Sequence, residues 1–110
     1  MTGARLSWVA ALGVALASVA AATAQPPVAG DPQAGRAYAL KNCAGCHMVM
    51  AQQSPPVRTA PSFQAIADMR STTQMSLHAF LSTPHPRMPN FIVQPSDGQD
   101  VIAYILSLRK

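Results

Sequence analysis

At 110 residues the chain is long enough for one domain, and its net charge of +4 comes from eight basic and four acidic residues with no basic run. With aromatics at only 5% of residues, that pattern excludes a nucleic-acid footprint. Hydrophobic residues make up 49% of the chain, but the excess is concentrated in the first 24 positions, which have to be read apart from the rest.

Residues 1–24 read as an export signal. Arg5 supplies a positive n-region, Leu6 to Ala21 form an uncharged apolar run, and Ala22-Thr23-Ala24 is a small-x-small cleavage pattern. The alternative is an uncleaved N-terminal anchor, since the run approaches spanning length. Its richness in small residues and the cleavage pattern favour a signal, and no later segment has the composition to span a membrane. A mature chain starting near Gln25 holds 86 of the 110 residues, with seven basic and four acidic side chains and a net charge of +3. That mild excess suits an acidic docking partner. So small a domain buries a modest core and commonly depends on a staple or a cofactor. Its two cysteines, Cys43 and Cys46, would close too short a loop for a disulfide to remove much chain entropy. Something else must hold the fold.

In chain order, residues 25–30 are a Pro- and Gly-rich leader without periodicity. Asp31-Pro32 then predicts a helix start, with Asp as N-cap and Pro at the first helical position, and the helix runs to about Asn42. Gly35, Ala39 and Cys43 recur every four residues and give it a face almost bare of side chains, open to close approach by another helix. Residues 48–61, with three prolines, are a loop. Ser62 caps a short helix through about Met69. A third helix runs from about Gln74 to Ser82, with caps offered by Ser71 to Thr73 and apolar Met75, Leu77, Phe80 and Leu81. Met69 and Met75, at helix borders, read as core filler. Pro84, Pro86 and Pro89 keep the following stretch out of helix and central strand. A final helix is predicted to open with a Ser96–Gln99 capping box. Val101, Tyr104, Ile105 and Leu108 form its apolar stripe, and Arg109 and Lys110 fall where its dipole favours positive charge. No strand pattern or repeat competes, so the fold class is all-α.

Cys43-Ala44-Gly45-Cys46-His47 is the C-x-x-C-H signature of covalent c-type haem attachment. Two cysteines three apart face one side of a helical turn, so each thiol can add to one haem vinyl group while the histidine reaches the iron from the same segment. Tethering raises the ligand's effective concentration. Two other chemistries compete for these cysteines. A zinc site needs two more ligands, and His78 and His85 are not paired at a usual spacing. A thioredoxin-like dithiol needs a parallel sheet that this chain has no strands to build.

The segment from Gly35 to His47 resembles the first helix of class I bacterial cytochromes c, and Asp100 to Leu108 resembles their last. The similarity covers about Asp31 to Arg109. It implies a cytochrome c fold over residues 31–110, with the N- and C-terminal helices crossing around one haem c held through Cys43 and Cys46. Gly35 and Ala39 should then receive Val101 and Tyr104. It also implies His47 as one axial ligand and, in the Pro-rich loop before the last helix, Met88 as the other. Met48 and Met50 lie too close to His47 to reach the opposite haem face. His85 is the rival, since a bis-histidine haem is chemically sound, and His78 reads as a surface residue. The Pro61 carbonyl is expected to accept from the Nδ1–H of His47, and Phe63 and Ile66 are expected to pack on the porphyrin. With Trp8 in the signal, Arg58 and Tyr38 are the candidates for holding the propionates.

With both axial positions filled by protein, iron has no open site for oxygen or peroxide. The expected role is therefore electron transfer in the periplasm between redox protein partners, without enzymatic activity and without a membrane anchor once the signal is cut. The alternative is a haem c subunit of a larger dehydrogenase or oxidase complex.

Overall fold

The computed structural model describes residues 27–56, 60–84, 86–88 and 92–110. The signal read over residues 1–24 and the expected mature start at Gln25 lie outside them. Four helices and no strand are present among the described residues: α1 (Pro32–Asn42), α2 (Phe63–Asp68), α3 (Gln74–Leu81) and α4 (Pro95–Ser107).

Local chemistry sets most of the boundaries. The Asp31 side chain accepts from the Gln33 N–H at the start of α1, with Pro32 behind it. Ser62 accepts from the Ala65 N–H to start α2. Thr73 and Ser76 cap α3 reciprocally: each side-chain oxygen accepts the other residue's backbone N–H.

The start of α4 differs from expectation. The helix begins at Pro95 rather than behind Ser96, and its N-cap, Gln94, makes no side-chain capping bond. Proline is pre-set for the first helical position and has no N–H to satisfy there, so it takes that place and leaves Ser96 inside the first turn. Arg109 also departs from the dipole reading. It lies beyond the last turn of α4, and its guanidinium donates to the Ala67 carbonyl at 2.9 Å and to the Thr72 carbonyl, at the far end of α2.

The main packing is α1 on α4, with α2 and α3 each laid against α4. Gly35 and Ala39 are buried on the face of α1 predicted to be bare, and Val101 and Tyr104 are buried on α4. Core residues from every helix meet there: Ala39, Phe63, Ala67, Leu77, Val101, Ile102, Tyr104 and Ile105, with Val49 from the loop after α1. Met69 and Met75 are not among them. Leu77 and the half-buried Leu81, four apart, carry the inward face of α3 and turn Met75 outward to 81% exposure, while Met69 ends α2 at 48%.

Candidate functional site

α1 ends on Cys43, whose N–H still donates to the Ala39 carbonyl at 2.8 Å. The chain then coils once more: the Cys46 and His47 N–H groups both donate to the Cys43 carbonyl, at 3.1 and 2.9 Å. That turn puts two free, half-buried thiols and a half-buried imidazole on five consecutive residues. Burial, and then the neighbouring Cys46, push the Cys43 thiol above its ordinary pKa.

His47 Nδ1 lies 2.7 Å from the Pro61 carbonyl oxygen. A carbonyl only accepts, so Nδ1 carries a proton and donates it to Pro61. Pro61 comes from the segment leading into α2, which is bound back to the turn where Ala60 donates to Cys46 and Phe63 to Met48, both at 3.0 Å. Phe63, 4% exposed, stacks tilted against His47 with ring centroids 5.4 Å apart, and its other side meets Tyr104 at 6.3 Å. It is thus wedged between the imidazole and α4. Ile66 is half-buried against the same core.

Cys43 also lines an open cleft, together with Tyr38, Asn42, Leu81, Met88, Val93 and Val101. Its walls are almost wholly apolar. Met88 is half-buried and shares this wall with Cys43. Tyr38 stands beside Cys43, and burial, with Asp97 and Cys43 adding to it, raises its phenol pKa. Met88 of the Pro-rich loop therefore lies where α1 ends and the attachment turn begins, across more than forty residues of chain. His85 and Arg58 lie outside the described residues. His78 is exposed on α3.

The cytochrome c family model matches residues 32–109, from the first residue of α1 to the penultimate residue of the chain. The chain belongs to the cytochrome c family. Within it, the chain is 34% identical over 97 residues to cytochrome c-552 of Bradyrhizobium diazoefficiens, covering 88% of this chain and 93% of that one. It is 32% identical over 79 residues to a cytochrome c-553-like protein of Synechocystis, covering 72% and 70%. No solved structure matches.

As a cytochrome c, the chain carries haem c attached through Cys43 and Cys46 and serves electron transfer. The residues fit that group. Two thiols on one turn, an imidazole whose Nδ1 donates to the Pro61 carbonyl, and an apolar cleft that starts at a thiol are what a covalently held porphyrin needs.

Sequence reasoning missed Leu81 and Val93 as cleft residues, because their role depends on how the end of α3 and the segment before α4 return to α1. It also missed Gln53, a polar residue in a Pro-rich loop with no pattern around it. Its amide reaches into the attachment turn.

Proposed function

We propose that this cytochrome c transfers single electrons in the periplasm through a haem c ligated by His47 and Met88. The observation that carries the reading is the shared apolar cleft, in which a half-buried thioether from the Pro-rich loop joins the wall that holds Cys43. Bound haem c supplies a one-electron ferric/ferrous couple. The chain's own residues tune it. Pro61 accepts from Nδ1–H of His47, which fixes the ring and makes Nε2 a stronger donor. Phe63 backs that ring against α4. Met88 offers a soft thioether, which favours ferrous iron and raises the potential relative to two imidazoles. With both axial positions occupied, the task is electron transfer rather than ligand chemistry.

The periplasmic assignment rests on the export pattern of residues 1–24, with the domain over 31–110. Among the described residues no helix is long and apolar enough to cross a membrane. Lys41 and Arg87 are exposed and adjoin the cleft residues Asn42 and Met88 in sequence, which suits an acidic face on the redox partner.

The test is the ligand. Oxidised protein should show the weak near-infrared band of methionine-to-ferric-haem charge transfer, and Met88→Ala should abolish it, open the iron to carbon monoxide and lower the potential. His85→Ala should keep the band. An unchanged spectrum in Met88→Ala would overturn the assignment. Purification separates the two uses of such a carrier: a free carrier elutes alone, whereas a complex subunit co-elutes with a larger catalytic chain.

A further inference from the structure

The haem-attachment turn is held by a side chain outside it. Gln53 is half-buried in the loop that follows, and its amide meets three backbone groups between residues 44 and 49. Oε1 accepts from the Val49 N–H at 2.8 Å, while Nε2 donates to the His47 carbonyl at 3.0 Å and to the Ala44 carbonyl at 3.2 Å. The partners fix the orientation of the amide. An N–H requires the oxygen and two carbonyls require the nitrogen, so a flipped amide would lose all three bonds.

Most other carbonyls of the turn are already engaged. That of Cys43 takes the N–H groups of Cys46 and His47, that of Cys46 takes Ala60, and that of Met48 takes Phe63. The Val49 carbonyl takes the Tyr104 hydroxyl at 2.8 Å. Gln53 serves the carbonyls of Ala44 and His47, one between the two cysteines and one on the histidine itself. His47 is therefore held at two points by different segments. Pro61 sets the rotation of the ring, and Gln53 sets where the main chain that carries the ring stands. Neither bond alone determines the position of Nε2.

We propose that Gln53 is a positioning residue for the haem-iron ligand, acting through the His47 and Ala44 carbonyls to hold the imidazole in one orientation. The proposal rests on the reading of His47 as an axial ligand. Its signature is a single, well-defined His47 environment in the oxidised holoprotein, dependent on the two donors of the Gln53 amide.

Proton NMR of the oxidised holoprotein reads this directly, because ring protons of an iron-bound histidine are shifted by the paramagnetic centre according to ring orientation. Gln53→Ala removes all three bonds. Gln53→Glu keeps an acceptor for the Val49 N–H but has no donor for His47 or Ala44. Both should displace or split the His47 ring resonances. Gln64→Ala is the control: it removes bonds to the Leu108 carbonyl and to Asp68, away from the turn, and should lower the unfolding midpoint without moving those resonances. Resonances unchanged in Gln53→Ala, however far its midpoint falls, would overturn the proposal, as would equal displacement in Gln64→Ala. If Gln53→Ala yields no holoprotein, Gln53→Asn, with the amide on a shorter stem, is read in the same way. Absence of shifted histidine resonances from the unmodified protein would instead overturn the axial reading of His47.

Discussion

Gly35 of α1 and Asp100 of α4 meet main chain against main chain, with no room for a side chain between them. A Cβ at Gly35 would overlap the Asp100 carbonyl and come within 2.7 Å of the Val101 nitrogen. Asp100 also reaches back across the same junction, where its carboxylate accepts from the Asp31 N–H at 2.7 Å, just ahead of α1. The junction lies one helix length from the attachment turn, so α4 sets the position of α1 and thereby of the Cys43 end.

Gly35→Val should therefore force the helices apart at an overpacking cost of about 1–3 kcal/mol. Gly35→Ala should also destabilise, because the obstruction begins at Cβ and consists of backbone that cannot swing away. Gly45→Ala is the contrast, since no protein atom lies within 4 Å of a Cβ there. Thermal unfolding of the three holoproteins checks this: lower midpoints for both Gly35 variants and an unchanged one for Gly45→Ala, with the haem spectrum intact throughout. An unchanged midpoint in Gly35→Val would contradict the close crossing.

Much of this was legible because it is written in short-range chemistry. The four-residue recurrence of Gly35, Ala39 and Cys43 marks a bare helix face, and Asp31, Ser62 and Thr73 announce their helix starts by side chains that can accept an N–H. C-x-x-C-H holds its meaning within five residues. What escaped depends on competition or on distance. Pro95 and Ser96 both signal a helix start, and the covalent constraint of proline prevailed over a hydroxyl's optional bond. Met75 borders a helix but faces out, because one face of α3 suffices to cover α4 and Leu77 and Leu81 occupy it. Gln53 has no sequence signature, since its partners are backbone groups that any residue would provide.

Haem should remain with the polypeptide through acid–acetone extraction, since two thioethers hold it. Cys43→Ala or Cys46→Ala leaves one bond, so each should retain pigment on a denaturing gel at lower holoprotein yield. The double variant should lose the pigment to the solvent. Free extraction from the unmodified protein would contradict covalent attachment.

Tyr104→Phe tests the link between α4 and the loop after the attachment turn. The Tyr104 hydroxyl donates to the carbonyl of Val49, a residue only 1% exposed, so removing it leaves a buried acceptor without that donor. The expected loss is about 1–3 kcal/mol, read by denaturant unfolding. The Phe63 contact is kept because the ring is kept. A variant as stable as the parent would mean that water replaces the hydroxyl at no cost.

Asp68 makes stability fall on acidification through a defined contact. Its carboxylate accepts from the Gln64 amide at 2.9 Å and from the Lys110 N–H at 3.2 Å, closing the end of α2 onto the C-terminus. The Gln64 bond, then the Lys110 backbone bond, hold its pKa below the ordinary 3.8, with the charges of Lys110 and Arg109 adding and slight desolvation opposing. A carboxyl whose pKa is lower in the folded than in the unfolded chain contributes stability that is fully present above the unfolded value. That contribution is lost as pH falls from there through the folded value. Denaturant unfolding at a series of pH values should therefore show the stability gap between the parent and Asp68→Asn shrinking below about pH 4, where the unfolded carboxyl begins to bind its proton. Because Asp68 is fully solvent-exposed, added salt should shrink the charge-dependent part of the gap. If parent and variant instead run parallel through that window, Asp68 makes no linkage contribution and its two hydrogen bonds are no stronger than those to water.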